Sequence, residues 1–378
     1  MISSIALVVG GLTASACHGS PLQPSTDAPS ADRVASRDGA TPLKPWPGGS
    51  ASTDHGADAS NAVAPGTNVD GGMGGDAAGE PIDDPMANHR NSREDLLQLF
   101  AIKPLSDKEK RVILPEQFLT SVFGVDGPQH ANQGNKDRAE HLISKAKCLA
   151  GLKDVVLQTP EQKAACGGAE NMVPINFAGK PPYLCMDIFE FPNKACELPV
   201  VWIPPTYAKK VCELQGKRLC SQVEWNQACR GDPAGGPDTK YAYGDELDLS
   251  ICHTNKPPRT SCDPTSARNA WNSCTTDSEP SGSFPKCRSR FGVYDQHGNV
   301  AEIMMRRNEE GKVVTQLKGS AWFYINVARE PGKPQTAPKN VETYPDHCNF
   351  DPRWHVEPID NAWHVNYHLG FRCCKSVP

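Results

Sequence analysis

Fifteen cysteines decide most of what this chain can become. Cys17 stands apart. The other fourteen begin at Cys148 and end with the adjacent Cys373 and Cys374. An even set permits seven disulfides, and the sequence leaves their connectivity open. No two cysteines are spaced Cys-x-x-Cys, so a zinc knuckle or a thioredoxin-like redox motif has no support. Paired cysteines persist in oxidising compartments, which predicts an exported protein. Each bridge restricts the unfolded chain and adds about 2–4 kcal/mol.

The N-terminus agrees. Ile2 to Leu12 are apolar and small, and Ala14-Ser15-Ala16 precedes Cys17. An apolar stretch followed by small residues is an export signal. Two processing routes fit it. One is cleavage before a lipidated Cys17, which makes residues 1–17 a signal peptide with a lipobox. The other is plain secretion with cleavage after Ala-x-Ala. The lipid-anchored route is favoured because a linker follows at once. The expected location is then an outer-membrane lipoprotein or a periplasmic or extracellular protein. Membrane contact runs through the lipid anchor only, since no later apolar run is long enough to span a bilayer.

Residues 18–87 are mostly Gly, Ala, Ser, Pro, Asp and Thr, with Trp46 as the single aromatic side chain. Such a segment buries too little apolar surface to offset its conformational entropy, and reads as a disordered low-complexity tether. Only 38% of the chain is hydrophobic, and much of that deficit lies here. What remains is long enough for a real core. The net charge of -5 is not gathered into a basic stripe, which argues against a nucleic-acid partner.

Residues 88–170 read as a helical extension. Asn91 or Ser92 caps a first helix with Leu96, Leu97, Leu99 and Phe100 as its apolar stripe. A second helix is expected over about 136–152, with Leu142, Ile143, Ala146 and Leu149 at helical spacing. Cys148 and Cys166 are close enough in sequence to staple the region. From residue 171 the pattern turns to short strands, Gly/Pro punctuation and a helix over about 206–214. Ser221 caps a second helix there, with Glu224 completing a capping box.

Short motifs then arrive in a fixed order: Met186-Asp187-Ile188-Phe189-Glu190, Gly216-Lys217-Arg218-Leu219, Glu224-Trp225, Tyr243-Gly244-Asp245, Phe291 to Asp295, Gly298-Asn299-Val300-Ala301-Glu302 and Gly370-Phe371-Arg372. No one of them is specific. The ordered set resembles the sulfatase-modifying-factor family, whose founding activity is formylglycine generation. The resemblance implies an α+β fold, C-type-lectin-like with much irregular structure, over residues 171–378. Met-Asp marks the family's first strand. Arg218 with Glu224 reads as an ion pair, and Trp225 and Phe371 as core.

The resemblance also directs attention to metals and to a cleft. Asn299 and Glu302 fall on a family calcium-binding turn and make a hard-oxygen set that suits Ca²⁺. Asn255 falls on a second such turn. The family's chemistry uses two thiolates that follow an Arg-Gly-Gly-Ser turn and bind copper. The matching turn here is Lys318-Gly319-Ser320-Ala321, and the two cysteine positions fall on Tyr324 and Arg329. No cysteine occurs between Cys287 and Cys348. A phenol and a guanidinium cannot replace a soft thiolate pair.

Three functional readings follow. In the first, an exported, lipid-anchored protein presents a non-catalytic binding module. Trp322, Tyr324, Arg329, His355, His364 and His368 line its cleft, and an envelope or extracellular molecule is its ligand. In the second, His364 and His368, at the spacing of one helical face, hold a metal for oxidation or other chemistry. In the third, the chain is a structural part of the envelope.

Overall fold

The structure is a computed structural model that describes residues 83–90, 131–177, 179–254, 256, 267–323, 346–352 and 355–377. All of them belong to one unit, Val69–Pro378. The expected helix at 91–100, Cys17, Asn255, Tyr324 and Arg329 lie outside the described residues.

The extension is less helical than its apolar spacing implies. Helix α1 is Lys145–Leu152, with the Ser144 side chain accepting from Lys147 N as its cap. Leu142 and Ile143 precede that cap, and their backbone amides donate to the Glu279 carboxylate. Leu142 is consequently 59% exposed, and α1 buries Cys148 and Leu152 instead of Leu149. Helix α2, Pro160–Ala165, opens on a Thr159–Gln162 capping box. Disulfides tie both helices inward, Cys148 to Cys196 and Cys166 to Cys185, so the staple expected between Cys148 and Cys166 is not the one formed. The turn at Pro85–Asn88, capped by Asp84, lies where the composition reads as tether.

The remainder is an α+β domain with two small sheets. Strands β1 (Met172–Ile175), β2 (Leu184–Asp187), β3 (Arg218–Leu219) and β7 (Cys373–Ser376) form an antiparallel sheet of order β1-β2-β7-β3. Met186 and Asp187 therefore sit on its second strand, not on the first. Strands β4 (Ala301–Arg307), β5 (Val313–Lys318) and β6 (Leu369–Phe371) form the other sheet, in which β4 pairs antiparallel with β5 and parallel with β6. Helices α3 (Pro205–Leu214), α4 (Gln222–Arg230) and α5 (Ala267–Ser273) complete the set. Helix α4 starts where the sequence places it. The Ser221 side chain accepts from Glu224 N, and Glu224 accepts from Ser221 N.

One residue joins the sheets. Arg372 lies between β6 and β7, fully buried. Its guanidinium donates to both carboxylate oxygens of Glu302, from Nε at 2.6 Å, and to the carbonyls of Asp187, Ile188 and Tyr294. A buried charge is tolerable only when its partners are this complete. Disulfides Cys212–Cys373 and Cys220–Cys374 clamp β7 to α3 and to the segment before α4. Cys252–Cys287 and Cys229–Cys348 are bridged as well. Cys274 is also disulfide-bonded, so all thirteen described cysteines are paired. Such usage belongs to an oxidising, exported setting. Among the described residues no helix is long and apolar enough to cross a membrane.

Candidate functional site

The residues around Gly298 make a tight turn against His253. Gly298 has φ +74°, and a Cβ there would lie 2.2 Å from the carbonyl oxygen of His253. Only glycine fits. Asn299 follows, buried. Its amide oxygen accepts from Glu279 N at 2.8 Å, and its nitrogen donates to Glu190 at 2.6 Å and to Glu279 O. Glu302 is taken up by Arg372 and by Trp225 Nε1, which donates at 3.0 Å. The Ca²⁺ turn expected at Asn299 and Glu302 does not fit this arrangement. Both side chains bond within the protein, toward different partners, and Arg372 already supplies the cation beside Glu302.

Three carboxylates surround that guanidinium. Glu190 is pushed well above its ordinary range by burial and by Asp295 and Glu302 nearby. Asp295 is pushed up to about 7, mainly by burial. Glu190 accepts from Val300 N and from Ser281 Oγ, and Asp295 accepts from Gly282 N at 2.7 Å. This is a structural hub with no exposed face.

The expected cleft residues part company. Trp322 is 1% exposed and packs with Val201, Trp202, Ala270, Val300 and Ala321, so its ring is core and no wall of an open cleft. His364 and His368 lie in an irregular segment, where their spacing does not align them on one face. His355 instead stacks on His364, with ring centroids 3.8 Å apart and planes 20° apart. Stacked imidazoles point their lone pairs side by side, which does not make a shared metal site. Burial, then the neighbouring imidazoles, hold His364 down at about 4 and His368 at about 3. The metal reading of this cluster is therefore not supported by its geometry.

A different place is concave. A cavity of about 710 Å³ opens between the segment after α1, the turn Tyr241–Gly244 and the loop 285–290. Val155, Thr239, Tyr243, Lys286, Arg288 and Ser289 are among its walls. Lys286 and Arg288 are exposed at this cavity. Asp154 is the single acid in its lining. The motif Tyr241–Asp245 is visible in the sequence, but nothing local reveals that residues 154 and 288 meet it.

Beneath that turn lies His297, 1% exposed. Ala242 N donates to its Nε2 at 3.0 Å, so the ring proton is on Nδ1, which donates to Asp346 at 3.2 Å. Tyr241 and Tyr243 meet the ring edge-on. Ser320 Oγ donates to the other Asp346 oxygen at 2.7 Å. Nε2 also faces the Cys229–Cys348 bridge, 3.5 and 4.0 Å from its two sulfurs. Lys318 Nζ holds the same segment, donating to Cys348 O, Phe350 O and Asp351. The turn Lys318–Ala321 is thus an anchor for residues 346–351, and it carries no thiol. His297 was not singled out by sequence, since one histidine before a Gly-Asn turn has no signature of its own.

Comparison with known proteins supports the same reading of the fold. Residues 190–377 match the profile of the sulfatase-modifying factor enzyme 1-like domain. A search of curated protein sequences gives no match. Among solved structures, the one titled "Crystal Structure of CarF" aligns at 14% identity over 48% of this chain and 68% of its own, with a TM-score of 0.29. The "Major Tropism Determinant P3c Variant" aligns at 11% identity over 55% of this chain and 52% of its own, with a TM-score of 0.26. The assignment rests on the domain match and on the ordered motifs, now seen in place on β2, α4, the Gly298 turn and β6. Residues 190–377 form a domain of the sulfatase-modifying-factor family.

Proposed function

We propose that this chain is an exported, lipid-anchored protein whose sulfatase-modifying-factor domain is a non-catalytic binding module. The observation that carries this reading is the state of the cysteines. All thirteen that the structure describes are in disulfides, and the sequence from residue 288 to 347 contains none. Formylglycine generation requires a pair of thiolates, and neither Tyr324 nor Arg329 supplies one. The tether of residues 18–87 sets the module away from the membrane, with Cys17 as the lipid attachment point.

The cavity beside Tyr243 is the ligand site in this reading, in place of the cleft inferred from residues 322–368. Its three exposed cations, Lys286, Arg288 and the Asp232-paired Arg290, against one acid favour an anionic ligand from the envelope or the extracellular medium. Lys286→Glu with Arg288→Glu tests this on immobilised acidic and neutral envelope glycans. Retention of the parent on acidic glycans, lost in the double variant while its thermal unfolding is unchanged, supports the assignment. Equal retention of both proteins contradicts it. Cys17→Ala tests the anchor: the variant is expected in the soluble fraction and the parent with membranes.

A further inference from the structure

We propose that the cavity beside Tyr243 takes a uronic-acid glycan, with a sugar carboxylate in the planar fork of Arg288 and sugar hydroxyls on Asp154. The proposal rests on that cavity being the ligand site. The three cations in its lining are not equivalent. Arg290 is taken up by the protein: its guanidinium donates to Asp232 at 2.9 Å and to the carbonyls of Arg230 and Pro237 at 2.8 and 2.6 Å. Lys286 is a point charge on a flexible stem, and its field also falls on exposed Asp248. Among the described residues the Arg288 guanidinium has no hydrogen-bond or ion-pair partner.

The backbone that carries this open fork is fixed. Cys287 before it is bridged to Cys252, and Arg288 itself pairs with Tyr294. Cys287 and Ser289 are buried between the three exposed cations, so the segment is anchored at every second residue. A group held this way loses less freedom when it closes on a ligand. Two parallel N–H···O bonds from a guanidinium match a planar carboxylate.

An anion alone does not account for the other walls. Val155, Val156 and Pro285 are apolar, and Val156 is 71% exposed. Asp154 is exposed and offers acceptors only. Thr239 Oγ1 already donates to Tyr241 O at 2.8 Å, so it too is left to accept. A ligand that fills this cavity of about 710 Å³ needs an anion for Arg288, O–H donors for Asp154 and Thr239, and C–H surface for the valines. A uronate ring carries all three. A chain of phosphodiesters or sulfates meets the charge of Asp154 without offering it a donor.

The test uses the oxidised full chain in calorimetric titrations at low salt. The ligands are an oligogalacturonate, its carboxyl-reduced product and heavily sulfated dextran. The parent should bind the uronate and hold the reduced product at least about tenfold more weakly. Arg288→Lys keeps the charge but loses the fork, and should weaken uronate binding about tenfold. Asp154→Ala should also weaken the uronate about tenfold while strengthening the sulfated dextran. A cavity that reads charge alone would instead bind both more tightly in Asp154→Ala. That result overturns the uronate assignment and leaves the anionic cavity standing, as does equal uronate affinity in parent and Arg288→Lys. A parent that binds the sulfated dextran but not the uronate does the same. A parent that binds neither polyanion overturns the cavity as ligand site as well.

Discussion

Residues on either side of the Gly298 turn feed two buried centres of opposite character. Glu302, just after it, meets Arg372 in a hub where both carboxylate oxygens and every guanidinium nitrogen have partners. His297, just before it, meets a disulfide, the one bond of the two centres that electrons can open. Both lie on short chain paths from α4, the first through Trp225 and the second through Cys229. The hub joins the sheets and has nothing left to offer a ligand. The histidine centre sits under a cavity wall and is closed by a covalent bond. The two centres are equally buried and differ in what holds them, a charge network in one and a disulfide with a hydrogen-bonded imidazole in the other.

The sharpest way to break this comparison is at the hub. Removing one partner leaves the other as an uncompensated buried charge. Glu302→Ala or Arg372→Met should cost about 3–5 kcal/mol in denaturant unfolding. A loss below about 1 kcal/mol would mean that the pair is no hub. The histidine centre should respond less: Cys229→Ser with Cys348→Ser should cost about 2–4 kcal/mol, through the unfolded chain. A loss larger than that of Glu302→Ala would reverse the ranking. Ser221→Ala removes the side-chain cap of α4, on which both centres hang, and should cost about 1 kcal/mol.

Proton linkage gives a subtler distinction. Asp295, held up at about 7 against an ordinary 3.8, keeps a proton in the folded chain that the unfolded chain has lost. Its stability contribution is thus full below the ordinary value and is lost as pH rises through 7. His253, His364 and His368 act in the opposite sense, because their folded values lie below 6.5; their contribution is lost as pH falls through about 4 for the first two and about 3 for His368. Comparing parent with Asp295→Asn in thermal unfolding from pH 4 to 8 cancels the histidines. The variant should gain on the parent as pH rises. Parallel curves would show that Asp295 titrates normally.

What was legible in the sequence was local. The Ser221–Glu224 capping box and the Arg218–Glu224 ion pair join residues three and six apart, and both form. The partner of Glu302 was not legible, because Arg372 is 70 residues away and a carboxylate near a Gly-Asn turn also suits a cation. Disulfide pairing is not legible for the same reason: Cys148 lies nearer Cys166 in sequence but bonds Cys196. The apolar spacing of Leu142 and Leu149 looked helical, yet Ser144 starts the helix and leaves Leu142 in solvent. Trp322 and the C-terminal histidines were drawn into one cleft by residue type, whereas the fold buries the first and stacks two of the others. The cavity is not legible because its walls come from three distant segments.

The most direct measurement is formylglycine formation itself. The oxidised full chain, given Cu(I), O₂ and a peptide bearing a cysteine, is assayed by mass spectrometry for conversion of that cysteine to the aldehyde. With every described cysteine in a disulfide, no conversion above the protein-free control is expected. Catalytic conversion, more than one peptide per chain, would contradict the account of a family domain that binds and does not catalyse.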